Sequence, residues 1–529
     1  MVLKFKARVC VTGHSLTRGV DFVESYCGVA YSSDSRMLES LAVQCGWDTY
    51  EDDLSQAFVQ FRMPASPSGE PVIMAPARGS RISAVDGGFF NCELVMSLYG
   101  HPSSGYALAI GMSDRLLNRN LRDGQRRCPL EFRQCDAQPV VYRAVFPVDH
   151  RYYKERFVLA ISTDNLRVFC SLNDIYQEYR QWLGAEFTIT GTGKALRDSA
   201  PTSTLGKVAT YGPDYVRLDM PAFQRKIIVE AGLQDAVPAP TPIVAGYRLT
   251  KDDCPGTDAD REEVRKQVCK MFPHALVDWA TTVSLYRSLV ANLNWMAKEC
   301  APVLSASVAM LSRVMHDPPT SAFRAVHRVY RYLIGNPALG VTYQRHKLYD
   351  FRRGEYPAWT ISTDATLGDD LTTGKPLGGA GGGFENMAID FWFSHTARRV
   401  CGSTLAAESY FGSAGARQAV YMCQVLTFLD MYNGPITIRM DNANTVLHAG
   451  APIKRWSAKS RHFTLDQKFI AQAVQDNVAR VIHQPGSVTE SNPLGFFADC
   501  FTKGLPADLL ALYLSVMQGP TLNAINGGE

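Results

Sequence analysis

Four carboxylates in the last third of the chain stand where side chains can leave a core and do chemistry. Asp364 ends the apolar strand Trp359 to Thr363, and Glu408 lies one turn into a long helix that Ser403 or Thr404 caps. Asp441 ends the alternating strand Pro435 to Met440, and Asp499 lies inside a final helix. Strand ends and helix starts can converge on one edge of a sheet. Four carboxylates gathered there carry about the charge needed to hold two divalent cations. Two such metals about 4 Å apart activate a water and stabilise the leaving oxygen of a phosphodiester. An all-oxygen ligand set favours Mg2+ (or Mn2+) over zinc. Taken singly, each acid reads as readily as a surface or helix-terminal carboxylate.

A second pair of acids lies in the front half. Ser33 to Gly46 reads as a capped helix with Met37, Leu38, Leu41, Ala42 and Cys45 on one face. A short strand through Trp47 and Tyr50 runs into Asp52 and Asp53, and Leu54, Ala57, Phe58 and Phe61 then recur at helical spacing. Asp53 therefore stands at a strand-to-helix junction. Farther on, the apolar runs Phe157 to Ile161 and Leu166 to Phe169 flank Ser162-Thr163-Asp164-Asn165, a hairpin signal that puts Asp164 at the tip.

The elements that must position the four later acids follow in the order strand–strand–helix–strand–helix–strand–helix. They are Trp359 to Thr363, Met387 to Phe393 after the glycine cluster Gly378 to Gly383, a helix to about Tyr432, Pro435 to Met440, a helix around Leu465 and Phe469, Val478 to Ile482, and the final helix. That order specifies a mixed α/β unit. Ahead of it, Leu285 to Leu333 is amphipathic and helical, with Arg324, Arg328 and Arg331 on one side. The alternating prolines of Pro238 to Pro242 read as a linker.

Ser362-Thr363-Asp364-Ala365 resembles the strand that opens the ribonuclease H domain of copia-type (Pseudoviridae-like) retrotransposon Pol polyproteins. Four further motifs are similar to theirs in the same order: Ser403 to Tyr410, Arg439-Met440-Asp441-Asn442, Ser457 to Asp466 around Ser460-Arg461-His462, and Phe497-Ala498-Asp499-Cys500-Phe501-Thr502-Lys503-Gly504-Leu505-Pro506. The resemblance implies that Asp364, Glu408, Asp441 and Asp499 are the catalytic metal ligands. It extends to the front of the chain through Lys6 to His14, Gly19-Val20-Asp21-Phe22, Asp53 to Phe58, Leu98-Tyr99-Gly100 and Arg331 to Gly335, which look like reverse transcriptase segments. There it implies Asp53 and Asp164 as catalytic, metal-holding acids of a truncated polymerase.

Three departures from that pattern bear on polymerase activity. Less polymerase sequence precedes the Lys6-Ala7-Arg8 segment, which implies shortened fingers. His101-Pro102-Ser103-Ser104-Gly105 replaces a basic segment. Asn165 stands where the family's Tyr-Val-Asp-Asp hairpin has its second acid. An amide there removes one negative charge from a site that must hold two cations.

The expected fold class is α/β and α+β multidomain. The expected division is a truncated palm and partial fingers over 1–245, a helical thumb or connection region over 246–345, an RNase H-like mixed-sheet domain over 346–510, and a tail over 511–529. A length of 529 residues and 46% hydrophobic content agree with several globular cores and exclude overall disorder. The implied partners are an RNA–DNA hybrid, template-primer nucleic acid and other parts of a Pol polyprotein. A net charge of +3 neither demands nor excludes them. Within the resembling segment, Lys454, Arg455, Trp456, Lys459 and Arg461 combine cations with an aromatic ring and are expected to bind nucleic acid. His462 and His483 read as structural or as proton-transfer groups. Arg115, Arg119, Arg122, Arg126 and Arg127 read as a phosphate track or a solvated face. Gly191 to Lys194 lacks the remaining residues of a phosphate loop.

None of the 13 cysteines forms a Cys-x-x-Cys pair, which argues against a zinc site and for reduced thiols in an intracellular protein. No run of about 18 apolar residues occurs, so a soluble chain without a membrane partner is expected. The function expected is therefore RNase H cleavage with an impaired RNA-directed DNA polymerase. The alternatives are a degenerate remnant that only binds nucleic acid, or integration or nuclease chemistry by another RNase H-like domain.

Overall fold

The computed structural model describes residues 10–520 except 76–89, 205, 274–275, 369, 371–372, 451–460, 491 and 494, and the side chains of 204 and 461–463. Two compact units divide the chain. One holds Met1–Tyr31 and Trp47–Leu196, and the other holds Ser32–Gly46 and Arg197–Glu529. The first helix, α1 (Ser32–Cys45), stands with the second unit and is stopped by Gly46, whose φ is +67°.

The first unit runs β1 (Asp48–Leu54), β2 (Ile73–Met74), β3 (Cys92–Glu93), α2 (Ser103–Leu116), β4 (Phe132–Gln134), β5 (Val141–Ala144), β6 (Phe157–Ser162), β7 (Asn165–Cys170), α3 (Asn173–Glu186) and β8 (Ile189–Thr190). Its main sheet has the order β4-β5-β6-β7-β1-β8 and is antiparallel throughout. Ile175, Tyr176, Tyr179, Trp182 and Leu183 recur at helical spacing along α3. They bury one stripe in a core with Leu159, Leu166 and Val168 of the central strands. The helical spacing seen after Asp53 produces only a single turn, Ala57–Gln60.

The second unit opens with β9 (Thr202–Thr204), β10 (Lys207–Tyr211), β11 (Tyr215–Asp219), α4 (Pro221–Glu230), α5 (Asp258–Met271), α6 (Trp279–Glu299), α7 (Ser305–Leu311), α8 (Thr320–Gly335) and β12 (Gly340–Gln344). The strands form a sheet of order β12-β11-β10-β9. The proline-rich segment is held against α8 rather than left free. Arg328 donates to the Thr241 hydroxyl at 2.9 Å, Arg331 donates to the Val237 carbonyl, and the Ala239 N–H donates to the Arg331 carbonyl at 3.1 Å. Two arginines of the row on α8 thus serve packing, whereas the third, Arg324, donates to Gln267 on an exposed face.

The last third contains β13 (Trp359–Thr366), β14 (Leu377–Phe384), β15 (Phe391–Thr396), α9 (Thr404–Phe428), β16 (Ile436–Met440), α10 (Ala443–Gly450), α11 (Arg461–Gln475), β17 (Ala479–His483) and α12 (Ala507–Gln518). Its sheet has the order β15-β14-β13-β16-β17. The first three strands are antiparallel, and β13, β16 and β17 are parallel. This is the mixed-sheet unit expected. The glycine cluster, however, is itself a strand, β14, and not the approach to one. Asp499 lies in a separate 3-10 turn, Phe497–Phe501, ahead of α12 rather than inside it: the chain leaves helical geometry at Thr502, whose φ is −127°, and α12 starts only after Pro506. Among the described residues, no helix is long and apolar enough to cross a membrane.

Candidate functional site

Asp364, Glu408 and Asp441 offer carboxylate oxygens that all lie within 4.8 Å of one another. Asp364 sits two residues before the end of β13, and Asp441 follows the last residue of the neighbouring parallel strand β16. Glu408 comes from α9, whose N-terminus is fixed by the Ser403 side chain accepting the Ala406 N–H at 3.1 Å. Two glycines let this helix approach the sheet closely. A Cβ on Gly415 would lie 2.5 Å from the Thr363 methyl, and one on Gly412 would lie 2.1 Å from Met440 Cε. Both contacts are shorter than van der Waals separation, so glycine sets the depth at which Glu408 enters the acid cluster.

Asp499 approaches Asp364 by a different device and is not one of the three acids of the tight group. Beside it, the Thr502 hydroxyl donates to Asp364 Oδ2. Asp364 is paired in register with Gly379 of β14. A Cβ on Gly379 would lie 2.5 Å from Phe501 Cβ, and one on Gly381 would lie 2.6 Å from the Phe501 ring. The bare strand therefore admits Phe501, and Phe501 seats the turn that carries Asp499. Lys503 closes the arrangement, with Nζ 2.7 Å from Asp499 Oδ1.

The electrostatics follow from burying like charges together. Glu408 is pushed up to about 9, first by burial and then by the charges of Asp364 and Asp441. One of its oxygens accepts the Ala365 N–H, whereas Oε2 is buried with no hydrogen-bond partner among the described residues. Asp499 is raised to about 7 by burial and Asp364, against the opposing pull of Lys503. Asp441 is raised by burial and by Asp364. Burial acts to lower the Lys503 ammonium, but Asp364 and Asp499 outweigh it and hold the group above its usual value. An orphaned buried carboxylate oxygen beside two further acids is a donor set suited to a hard divalent cation.

In the first unit, Asp53 pairs in register with Asn165, and the Leu54 N–H donates to the Asp164 carbonyl at 2.9 Å. The backbones of Asp53 and Asp164 thus meet at one end of the sheet. Asp53 Oδ2 accepts from the Thr190 hydroxyl at 3.3 Å. Among the described residues these acids join no third ligand in a group as tight as that of Asp364. Thr163, at the hairpin tip, has φ of +56°, a strained conformation for a β-branched residue. The Asn165 amide donates to Glu51 Oε1 at 2.7 Å, and Arg167 donates to Glu51 Oε2. Asp52 points to the other face of the strand. There it is fully buried between the Tyr176 hydroxyl at 2.9 Å and Arg180 Nε at 3.1 Å. Strand alternation therefore separates a structural acid from its neighbour, Asp53.

Several expected groups fall elsewhere. Lys454, Arg455, Trp456 and Lys459 lie outside the described residues. Arg461 opens α11, but its side chain and that of His462 are likewise outside them. His483 Nε2 lies 2.9 Å from the Asp441 carbonyl and so braces the end of β16. Arg115 is buried and ion-paired with Glu186, so it is neither a phosphate contact nor part of a solvated face. Glu51, Thr502, Lys503 and Gly379 were not singled out from the sequence. Lys503 was open to detection, because it lies four residues after Asp499, one helical turn away.

A 3-2-1-4-5 mixed sheet, with one acid on its first strand, one just past its fourth and one on the helix between them, is the RNase H-like fold class expected. Across nine-tenths of its length the chain is similar to Pol polyproteins of copia-type transposons. It is 23% identical over 491 residues, 91% of this chain, to the "Retrovirus-related Pol polyprotein from transposon RE1" of Arabidopsis thaliana. It is 22% identical over 492 residues to that of RE2 from the same plant, and 20% identical over 512 residues, 97% of this chain, to that of TNT 1-94 from Nicotiana tabacum. The chain spans 28%, 29% and 34% of the lengths of these three relatives. No family model matches it. Among solved structures, a foamy viral protease-reverse transcriptase in complex with an RNA/DNA hybrid matches 89% of this chain and 49% of its own, with a TM-score of 0.40 at 11% identity. The RNase H1 of Halobacterium salinarum matches 24% of this chain and 86% of its own, with a TM-score of 0.18 at 14% identity.

Proposed function

We propose that this chain hydrolyses the RNA strand of RNA–DNA hybrids at the Asp364 cluster, with magnesium (or manganese) as cofactor. The observation that carries the reading is the meeting of Asp364, Glu408 and Asp441 within 4.8 Å, with Glu408 Oε2 left unpartnered. These three would hold the metal, with Asp499 completing the set through Asp364. Bound there, the metal supplies an activated water and neutralises charge on the leaving oxygen. The chain's own residues keep the ligands in place. Thr502 orients Asp364 through its hydroxyl, Lys503 restrains Asp499, and His483 braces Asp441 from behind.

The front of the chain, 1–245, is proposed as a polymerase-like segment, 246–345 as a helical connection, 346–510 as the RNase H-like domain and 511–529 as its tail. DNA synthesis on a template-primer is weak or absent in this reading. Asp53 and Asp164 share a sheet end, but the position after Asp164 is an amide already committed to Glu51. Because the chain spans 28–34% of the length of its curated relatives, other parts of a Pol polyprotein are proposed partners. Incubation of the purified chain with labelled hybrid and magnesium tests the proposal. Cleavage is expected, and loss of cleavage is expected in Asp364→Asn. Cleavage that survives Asp364→Asn combined with Asp441→Asn would overturn it. A chain that binds hybrid without cutting it would be the degenerate remnant.

A further inference from the structure

The segment Ser32–Gly46 lies between two stretches of the first unit in sequence, yet it belongs to the second. It carries α1, in which ten of fourteen residues are buried. Met37, Leu38, Leu41, Ala42 and Cys45 form its apolar side, and the helix packs on β11, β12, β14 and β15. The other five buried side chains are polar or charged, and three of them reach different elements. Arg36 donates from Nε to the Asp390 carbonyl at 2.8 Å, and from Nη1 to the Lys298 and Glu299 carbonyls at 2.9 and 3.2 Å. Those two carbonyls end α6, so the guanidinium caps its C-terminus. Its Cζ also lies 3.8 Å from the centre of the Trp392 ring, whose N–H is engaged by the Ala297 carbonyl at 2.7 Å. Asp34 Oδ2 accepts the Tyr421 hydroxyl of α9 at 2.9 Å, and Glu39 Oε1 accepts the Tyr211 hydroxyl of β10 at 2.7 Å. At the start of the helix, Ser32 donates to the Glu299 carboxylate at 2.9 Å.

A helix that only filled a core would not need an arginine. Burial pulls the Arg36 guanidinium below its usual value, and the charges of Tyr343, Glu299 and Asp390 oppose that pull. An arginine stacked on a tryptophan, with its donors fixed on backbone carbonyls and water excluded, has the pattern of an interface anchor. The match depends on the guanidinium fork, which lysine lacks. We propose that α1 is a non-covalent fastener: with the backbone cut between Ala200 and Pro201, residues 1–200 stay bound to residues 201–529, because Ser32–Cys45 remains seated with Arg36 as its anchor. The cut falls on accessible backbone, where Arg197, Asp198, Ala200 and Pro201 are exposed. Both ends of α1, through Tyr31 and Trp47, continue into the front fragment. The helix therefore cannot stay behind when that fragment leaves, and separation requires withdrawing its ten buried residues. The partner that fits this surface is the front of the same chain, and the inference is independent of any activity at the Asp364 cluster.

The test inserts a sequence-specific protease site between Ala200 and Pro201 of the full chain and cuts it after folding. At about 1 µM, where any pair tighter than micromolar stays together, the two fragments should elute together at the position of the uncut chain. Amide exchange across 32–45 should remain as slow as before the cut. Arg36→Met keeps much of the side-chain length but removes the guanidinium, and should raise the dissociation constant of the cut pair about thirtyfold or more. Arg36→Lys should raise it at least about tenfold. If Arg36→Met prevents the uncut chain from folding, Ser32→Ala with Tyr421→Phe supplies a milder change of about tenfold, because each removes only a hydroxyl. Wild-type fragments that part at this concentration would overturn the proposal. So would fragments that stay together while 32–45 exchanges freely, or whose dissociation is the same in wild type and all of these variants, since contacts other than α1 would then hold them.

Discussion

Replacing Glu408 by glutamine should make the metal-free protein more stable at alkaline pH, although it removes a proposed metal ligand. Glu408 has its carboxyl raised from 4.5 to about 9, chiefly by burial and then by Asp364 and Asp441. The folded value lies above the unfolded one, so the bound proton supports the fold. That support is complete below about pH 4.5 and is lost as pH rises toward and through about 9. Each pKa unit corresponds to ~1.4 kcal/mol. Between 4.5 and pH 8 the folded state therefore forfeits about 3.5 units, or about 5 kcal/mol, an upper figure for one group in a cluster. Glutamine fills the same volume, keeps an oxygen for the Ala365 N–H and does not titrate. Melting temperatures in EDTA from about pH 5 to 8.5 should fall steeply for wild type and much less for Glu408→Gln. Magnesium should restore the wild type at pH 8 and do little for the variant, because cations relieve the same repulsion. Parallel pH curves for the two proteins in EDTA would refute the reasoning, since they would mean that Glu408 is not held protonated by its surroundings.

Two further substitutions probe how the sites are built. Gly379→Val puts a branched side chain where even a Cβ would meet Phe501 at 2.5 Å. It should cost about 1–3 kcal/mol by overpacking and displace the Asp499 turn, so that cleavage falls further than stability. Chemical denaturation alongside a cleavage assay checks this, and a variant that loses stability but keeps full cleavage would show that Asp499 is not needed. Asn165→Asp restores the acid of the hairpin but replaces a donor to Glu51 by a second carboxylate about 2.7 Å away. It should destabilise the first unit by about 1–3 kcal/mol, and should yield little DNA synthesis unless Glu51→Gln accompanies it. Primer extension by the single variant at the level of the double would contradict the inhibitory role given to Glu51.

What the sequence determined by itself was local: which segments are strands or helices, and which acids stand at their ends. The Phe157–Ser162 and Asn165–Cys170 hairpin, the Ser403 cap and the strand before Asp441 follow from apolar periodicity and side-chain capping, which act over a few residues. The ordered motifs around Asp364, Glu408, Asp441 and Asp499 suggested the constellation through family resemblance, and the fold gathers Asp364, Glu408 and Asp441 into one tight group. Only tertiary structure decided the rest. Strand alternation gives the adjacent acids Asp52 and Asp53 opposite fates, and only the packing of Tyr176 and Arg180 shows which one is buried. A run of glycines reads locally as the approach to a strand because glycine lacks side-chain propensity for a strand. It becomes β14 because Phe411 on one face, and Phe501 on the other, need the space that a Cβ would occupy. The grip of Thr502 on Asp364 and the seating of Phe501 against Gly379 depend on elements brought together across the fold, and no periodicity within a single segment encodes them.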